Sequence, residues 1–327
     1  MRAPSFAKLA FVVAATFGSC VGANGQWVVG RYAGEFMSLG AGARALAMGG
    51  ASVAAPIPAT AAYYNPAALA GLTKRHVEFM HASQFDNLFT YDYLSLASPL
   101  PGGHSASLAL LYARVGDIPI TRLADPNAPL TDNNRVLVDR ETGDHELALV
   151  AATGRNVGRG WKAGATAKLL YKTVADESAY GLGFDLGFGR TVARSLDVGL
   201  NVRDVTTSIL GWSTGRTEAI LPSVLAGGAW SAELKRLNAQ VSLVADVETH
   251  FESRGESELA SAGVISAEPH IGAEYLISRT VALRGGMSGK RPTLGAGLRL
   301  SWLTVNAAFQ DHQDLGLTHR ISVGATW

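Results

Sequence analysis

The 327-residue chain contains a single cysteine, Cys20, so no disulfide framework can hold it together. Charged residues make up only 17% of it, against about 25% in an average soluble domain. The formal net charge of +1 leaves no strongly basic face for a nucleic-acid partner. No run reaches the roughly 18 apolar residues of a membrane-spanning helix. Catalytic spacings are missing too. Gly40-Ala41-Gly42 lacks the third glycine of a dinucleotide loop, because Ala45 stands there. Gly286 to Lys290 departs from a serine nucleophile elbow at its last position. The eight histidines are scattered, with no HExxH pair. Asp125, Asp132, Asn133, Asn134 and Asp139 lack the spacing of a calcium loop and read as a solvated surface loop. The expectation is a protein with no catalytic residues, no metal and no cofactor.

Glycine, at 37 residues, is abundant, and much of it alternates with apolar residues. The first 23 residues are laid out as a signal peptide. Arg2 and Lys8 give a positive start, Leu9 to Phe17 a short apolar core, and Val21-Gly22-Ala23 small residues before a cut at Asn24. A lipid-bearing Cys20 is the alternative, because Phe17-Gly18-Ser19-Cys20 loosely resembles a lipoprotein box without its leucine.

From residue 76 to 327 the pattern has period two, the mark of strands with one apolar and one polar face. Tyr180, Leu182, Phe184, Leu186 and Phe188 alternate with Gly181, Gly183, Asp185, Gly187 and Gly189. About fourteen strands are predicted, starting near His76, Phe89, His104, Asp144, Trp161, Tyr180, Ser195, Pro222, Asn238, Ala267, Thr280, Thr293, Leu303 and Leu317. The long connections, 115–143, 206–221 and 251–266, follow the third, seventh and ninth strands. Long loops sorted to one end are expected of a transmembrane antiparallel β-barrel with both termini periplasmic, and a soluble sandwich has no reason to sort them. Trp161, Tyr171, Tyr180, Trp212, Trp230, Tyr275, Trp302 and Trp327 fall near strand ends, as interfacial girdles do. The inner face carries both signs of charge, including Lys168, Asp185, Arg203, Asp246, Glu248, Glu274, Arg284, Arg299 and Arg320. Ion pairs closing the lumen fit this mixture better than the one-sign ring of a selective pore. Leu200 is placed on the lipid face and Asn201 on the inner face, so arginine should be tolerated better at 201 than at 200.

Residues 24–75 lack this alternation. Leu39 to Ala51 is rich in small side chains, and Tyr63-Tyr64-Asn65-Pro66-Ala67 reads as a turn before a short helix. Small side chains suit the interior of a barrel, so 24–75 is predicted to be an N-terminal hatch in the lumen. The stretch Ala33 to Ala51, with Gly42, Arg44, Gly49 and Gly50, followed by Ala61 to Leu69, closely resembles the PorV/PorQ family. Asn65-Pro66-Ala67 also resembles the wider FadL-like transporters. The C-terminal strand, ending at Trp327, resembles the signal read by the outer-membrane barrel assembly machinery. The resemblance implies a fourteen-stranded outer-membrane barrel with a hatch, in contact with membrane lipid. For function it implies either an adaptor of type IX secretion that binds secreted cargo proteins, or a passive channel passing hydrophobic ligands through a gap in its wall. The adaptor is taken as the leading expectation and the channel as the alternative.

Overall fold

A computed structural model describes residues 27–29, 34–84, 87–251, 260–262, 265–312 and 316–327. The signal peptide, Cys20, residues 24–26 and 30–33 of the N-terminal segment and most of the connection 251–266 lie outside the described residues.

Fourteen antiparallel strands close into a barrel. They are β1 (His76–Gln84), β2 (Phe89–Pro99), β3 (His104–Leu123), β4 (Val136–Gly158), β5 (Trp161–Val174), β6 (Glu177–Ala193) and β7 (Leu196–Arg203). There follow β8 (Ser223–Leu234), β9 (Ala239–His250), β10 (Ile265–Ile277), β11 (Val281–Ser288), β12 (Arg291–Arg299), β13 (Leu303–His312) and β14 (Gly316–Thr326). Each pairs with its sequence neighbours, and β14 returns to β1 with Ile321 opposite His81 and Thr326 opposite His76. Trp327 donates its backbone N–H to Arg75 O and accepts from Arg75 N, which seals the seam. Closure leaves no open sheet edge, the condition a spanning sheet must meet in lipid.

Burial along the strands has period two. In β14, Thr318, Arg320 and Ser322 are buried while Leu317, Ile321 and Val323 are exposed. Exposed leucine, isoleucine, valine and phenylalanine recur around the outside, among them Leu94, Leu108, Leu169, Phe188, Leu243, Leu283 and Leu294. An apolar outer band on a closed barrel is a surface for lipid. No helix of the described residues is long and apolar enough to cross a membrane. Trp161, Trp230, Trp302 and Trp327 are exposed near the end where the short turns lie, and Tyr180 is exposed at the other end. Trp212 departs from the expected girdle: it shares a face with the buried Ser208 and Leu210 and packs against the internal core.

Connections sort as the sequence predicted, with the long ones at one end and two- to four-residue turns such as Arg159-Gly160 and Arg194-Ser195 at the other. The connection 115–143 proves to be mostly strand. β3 and β4 run on as a two-stranded ribbon, pairing out to Leu123 and Val136. β2 reaches only Val115 and β5 only Asp144, so the ribbon stands above both neighbours. Between β7 and β8 the chain folds a small hairpin, Ser208–Trp212 with Thr217–Ile220. Its first arm continues the line of β7 along β6, with Gly211 opposite Tyr180. Its second arm pairs in parallel with Trp27–Val29, and among the described residues it forms no ladder with β9.

Candidate transport pathway

Residues 34–70 pack against the inward faces of the barrel strands, and 71–75 lead out to the short-turn rim. They contain α1 (Ala43–Ala47), α2 (Ala61–Tyr64) and three short 3-10 turns, one of them Pro66–Leu69. Ala41, Ala43, Ala47, Ala61 and Ala67 are fully buried, so the small side chains are what allows the chain to fill the lumen. The wall makes matching room with inward glycines. A Cβ on Gly164 would stand 2.4 Å from the Pro66 carbonyl carbon, and one on Gly187 2.2 Å from Asn65 Oδ1. Across the lumen, Gly272 and Gly286 meet Met48 in the same way.

Each residue singled out from the sequence in this segment has a definite structural task. Gly42 precedes α1 with φ 77°, and its carbonyl accepts from Leu46 N. Arg44 grips Glu274 of β10 with two hydrogen bonds of 3.0 Å. Gly49 donates to Thr293 Oγ1 at 2.9 Å, and its carbonyl meets His270 Nδ1 at 2.8 Å. Gly50, at φ 83°, donates to Ala45 O, a glycine C-terminal cap. Asn65 is almost wholly buried and uses both ends of its amide. Nδ2 donates to Val53 O at 2.8 Å and to Phe188 O of the wall at 3.0 Å, while Oδ1 accepts from Ala67 N. Pro66 and Ala67 sit against the glycines of β4 to β6.

The wall supplies further anchors that the sequence did not reveal, because they act across the lumen. Asp246 Oδ2 accepts from Ser52 N at 2.5 Å and Val53 N at 2.7 Å. Tyr93 and Ser95 both donate to Ala59 O. Within the segment, Tyr63 and Tyr64 accept from Gly40 N and Ala41 N. Burial pushes both phenols above their ordinary range, so they stay neutral hydrogen-bonding groups.

Several of the luminal charges pair as expected. Lys168 Nζ lies 2.7 Å from Asp185 and 2.6 Å from Asp204, Arg203 lies 3.0 Å from Glu248, and Arg284 lies 2.6 Å from Glu274. The Lys168 cluster sits where β7 breaks off. There Asp204 and Thr207 take left-handed backbone, and Asp185 accepts from Asp204 N.

Of the cavities that flank the segment, two lie toward opposite ends of the barrel. One of about 300 Å³ opens toward the long-loop end, between Leu46, Tyr63 and Tyr64 of the segment and Arg320 of β14. Another of about 230 Å³ lies at the short-turn end, between Arg44 and Pro58 of the segment and Arg299 of β12. Leu46 and Arg44 of the same short helix thus face opposite compartments. The arrangement is a lumen interrupted by an internal segment, with a mixed apolar and polar chamber on one side and an arginine-bearing vestibule on the other. Among the described residues no cluster of side chains could hold a metal ion.

No protein-family model and no curated protein matches the sequence. Solved structures do match in fold. The chain is similar to the CymD monoaromatic hydrocarbon channel, with TM-score 0.58, 11% identity, 88% of this chain covered and 98% of that one. It is similar to the toluene transporter TodX of Pseudomonas putida, with TM-score 0.57, 13% identity and coverage of 88% and 97%. It is also similar to the toluene transporter TbuX of Ralstonia pickettii, with TM-score 0.51, 12% identity and coverage of 88% and 97%. At these identities the likeness establishes the fold alone, a closed antiparallel barrel of fourteen strands. It lends nothing to the PorV/PorQ resemblance.

Proposed function

We propose that the protein is a passive channel for hydrophobic small molecules in a bacterial outer membrane, with residues 34–75 as its hatch. The observation that carries this reading is the pair of cavities on opposite sides of α1, inside a closed barrel with an apolar exterior. Supporting it, three solved structures of matching fold bear the names of hydrocarbon channels or toluene transporters. In this reading residues 1–23 are the leader, 76–327 the barrel, and both termini face the periplasm. The long loops and the β3–β4 ribbon then face outward, and Trp327 serves barrel assembly. The interruption of β7 at Asp204–Thr207 is the candidate gap in the wall.

The test is uptake of radiolabelled toluene into proteoliposomes. Faster entry than into empty vesicles is expected, together with a low ion conductance in planar bilayers because the hatch closes the lumen. Uptake equal to that of empty vesicles refutes the channel. The secretion adaptor rests on sequence resemblance alone, carried chiefly by residues 33–69 and extended by residues 91–94 and 115–119. Loss of surface proteins after gene deletion, with hydrocarbon uptake unchanged, would favour it instead.

A further inference from the structure

Three arginines line the chamber at the long-loop end, and two have acidic partners. Arg203 pairs with Glu248, and Arg291 lies 3.4 Å from Glu268. Arg320 differs. It is 5% exposed, yet among the described residues it forms no ion pair. Its Nη1 donates to the neutral amide oxygen of Gln310 at 2.9 Å, and its Nε has no acceptor. Gln84, on the neighbouring strand β1 and 6% exposed, lines the same chamber with an Nε2 that also lacks an acceptor among the described residues. A buried guanidinium without a carboxylate is expensive to desolvate, and unmatched donors beside it add to that expense. Such a site is completed by an anion with two acceptor oxygens, which a planar guanidinium holds in a fork. Leu39, Leu46, Tyr64 and Phe89 form the chamber's apolar part, beside the polar His270, Ser288, Thr293 and Thr318.

We propose that this chamber binds a compact carboxylate with an apolar body, such as a single-ring aromatic acid, and that Arg320 is its specificity-determining residue. The inference rests on the channel reading and narrows it. A chamber of about 300 Å³ stands at the small end of ligand pockets, which span roughly 300–1,000 Å³. A ring with one carboxylate fits that space, and a hydrocarbon offers the guanidinium no acceptor. Gln84 assists by donating to the carboxylate from the side, and Arg203, held by Glu248, frames the far wall.

The test is calorimetric titration of the purified full chain in detergent with benzoate and with benzamide, a neutral analogue of nearly the same shape. Benzoate is expected to bind roughly tenfold tighter or more, as a charge-assisted hydrogen bond allows. Arg320→Gln should level the two affinities, and Arg320→Lys should keep part of the difference. Equal affinities in the wild type, or an undiminished preference in a folded Arg320→Gln variant, overturn the proposal. Should Arg320→Gln not fold, the Gln84→Met variant decides. Weakened benzoate binding with benzamide unchanged supports the site, and unchanged benzoate binding overturns it. The two readings fail separately. Toluene uptake with no benzoate preference removes this inference and leaves the channel. Benzoate binding with no uptake of either compound removes the channel and leaves the site.

Discussion

The inward glycines of β4, β5 and β6 are where the wall yields to the luminal segment. At Gly164 a side chain would meet backbone atoms of Pro66 and Ala67, which cannot swing aside as a flexible side chain can. Gly164→Val is therefore expected to unseat the Asn65 turn while leaving the β5 ladder intact. Limited proteolysis should then cut within residues 34–75, and resistance equal to wild type would refute the contact. Asn65→Leu attacks the same place from the other side. It leaves the carbonyls of Val53 and Phe188 and the N–H of Ala67 without their partner, at about 1–3 kcal/mol for each buried group left unpaired. A lowered urea midpoint is the readout. Asn201 corrects an expectation from sequence. It faces inward as predicted but is fully buried, and among the described residues neither end of its amide has a partner. Arginine there would meet a filled lumen. Both Leu200→Arg and Asn201→Arg should then impair folding into liposomes, the first through a lipid-facing charge costing about 2–4 kcal/mol, the second through overpacking. Asn201→Ala removes two unmatched groups and is expected to fold at least as well as wild type.

Among the elements, the β3–β4 ribbon shows where sequence pattern loses its hold. The starts of the strands were legible because lipid on one side and the lumen on the other impose strict alternation. Residues 136–141 are exposed on every side, so no alternation marks them, and β4 was predicted to begin only at Asp144. For the same reason no alternation marks the hairpin of 208–220, whose arms are five and four residues long. Trp212 was assigned to the girdle from its place near a strand end. The inserted Asp204–Thr207 turn resets the register, which no local signal announces. In the luminal segment, helices of five and four residues are too short to display a 3.6-residue period. Its composition gave its location, while its partners, Asp246, Glu274 and Thr293, lie some 200 residues away in sequence and could not be paired by inspection. Because the ribbon joins no neighbouring ladder beyond Val115 and Asp144, and its ion pair from Arg140 to Asp176 is exposed, replacing 118–141 by an Asn-Gly turn should leave the barrel intact. Unchanged heat-modifiable mobility on denaturing gels is the expected result, and loss of the folded band would show that the ribbon supports the wall.

At the scale of the molecule, strand number, loop sorting and the mixed luminal charge followed from sequence, but the chambers did not. They depend on how a nearly period-free segment divides a cylinder. Deleting residues 34–75 should join the two chambers and raise conductance in planar bilayers well above that of the intact protein, while unchanged conductance would mean that the wall itself closes the lumen. The seam between β14 and β1 bears on how the segment is enclosed. The segment precedes every barrel strand in the chain, and it is held by β2, β5, β6, β9, β10 and β12 at once. Contacts so widely distributed around the circumference are complete only once the cylinder is closed. The ladder that closes the wall, with Arg320 opposite Ala82, therefore also encloses the segment.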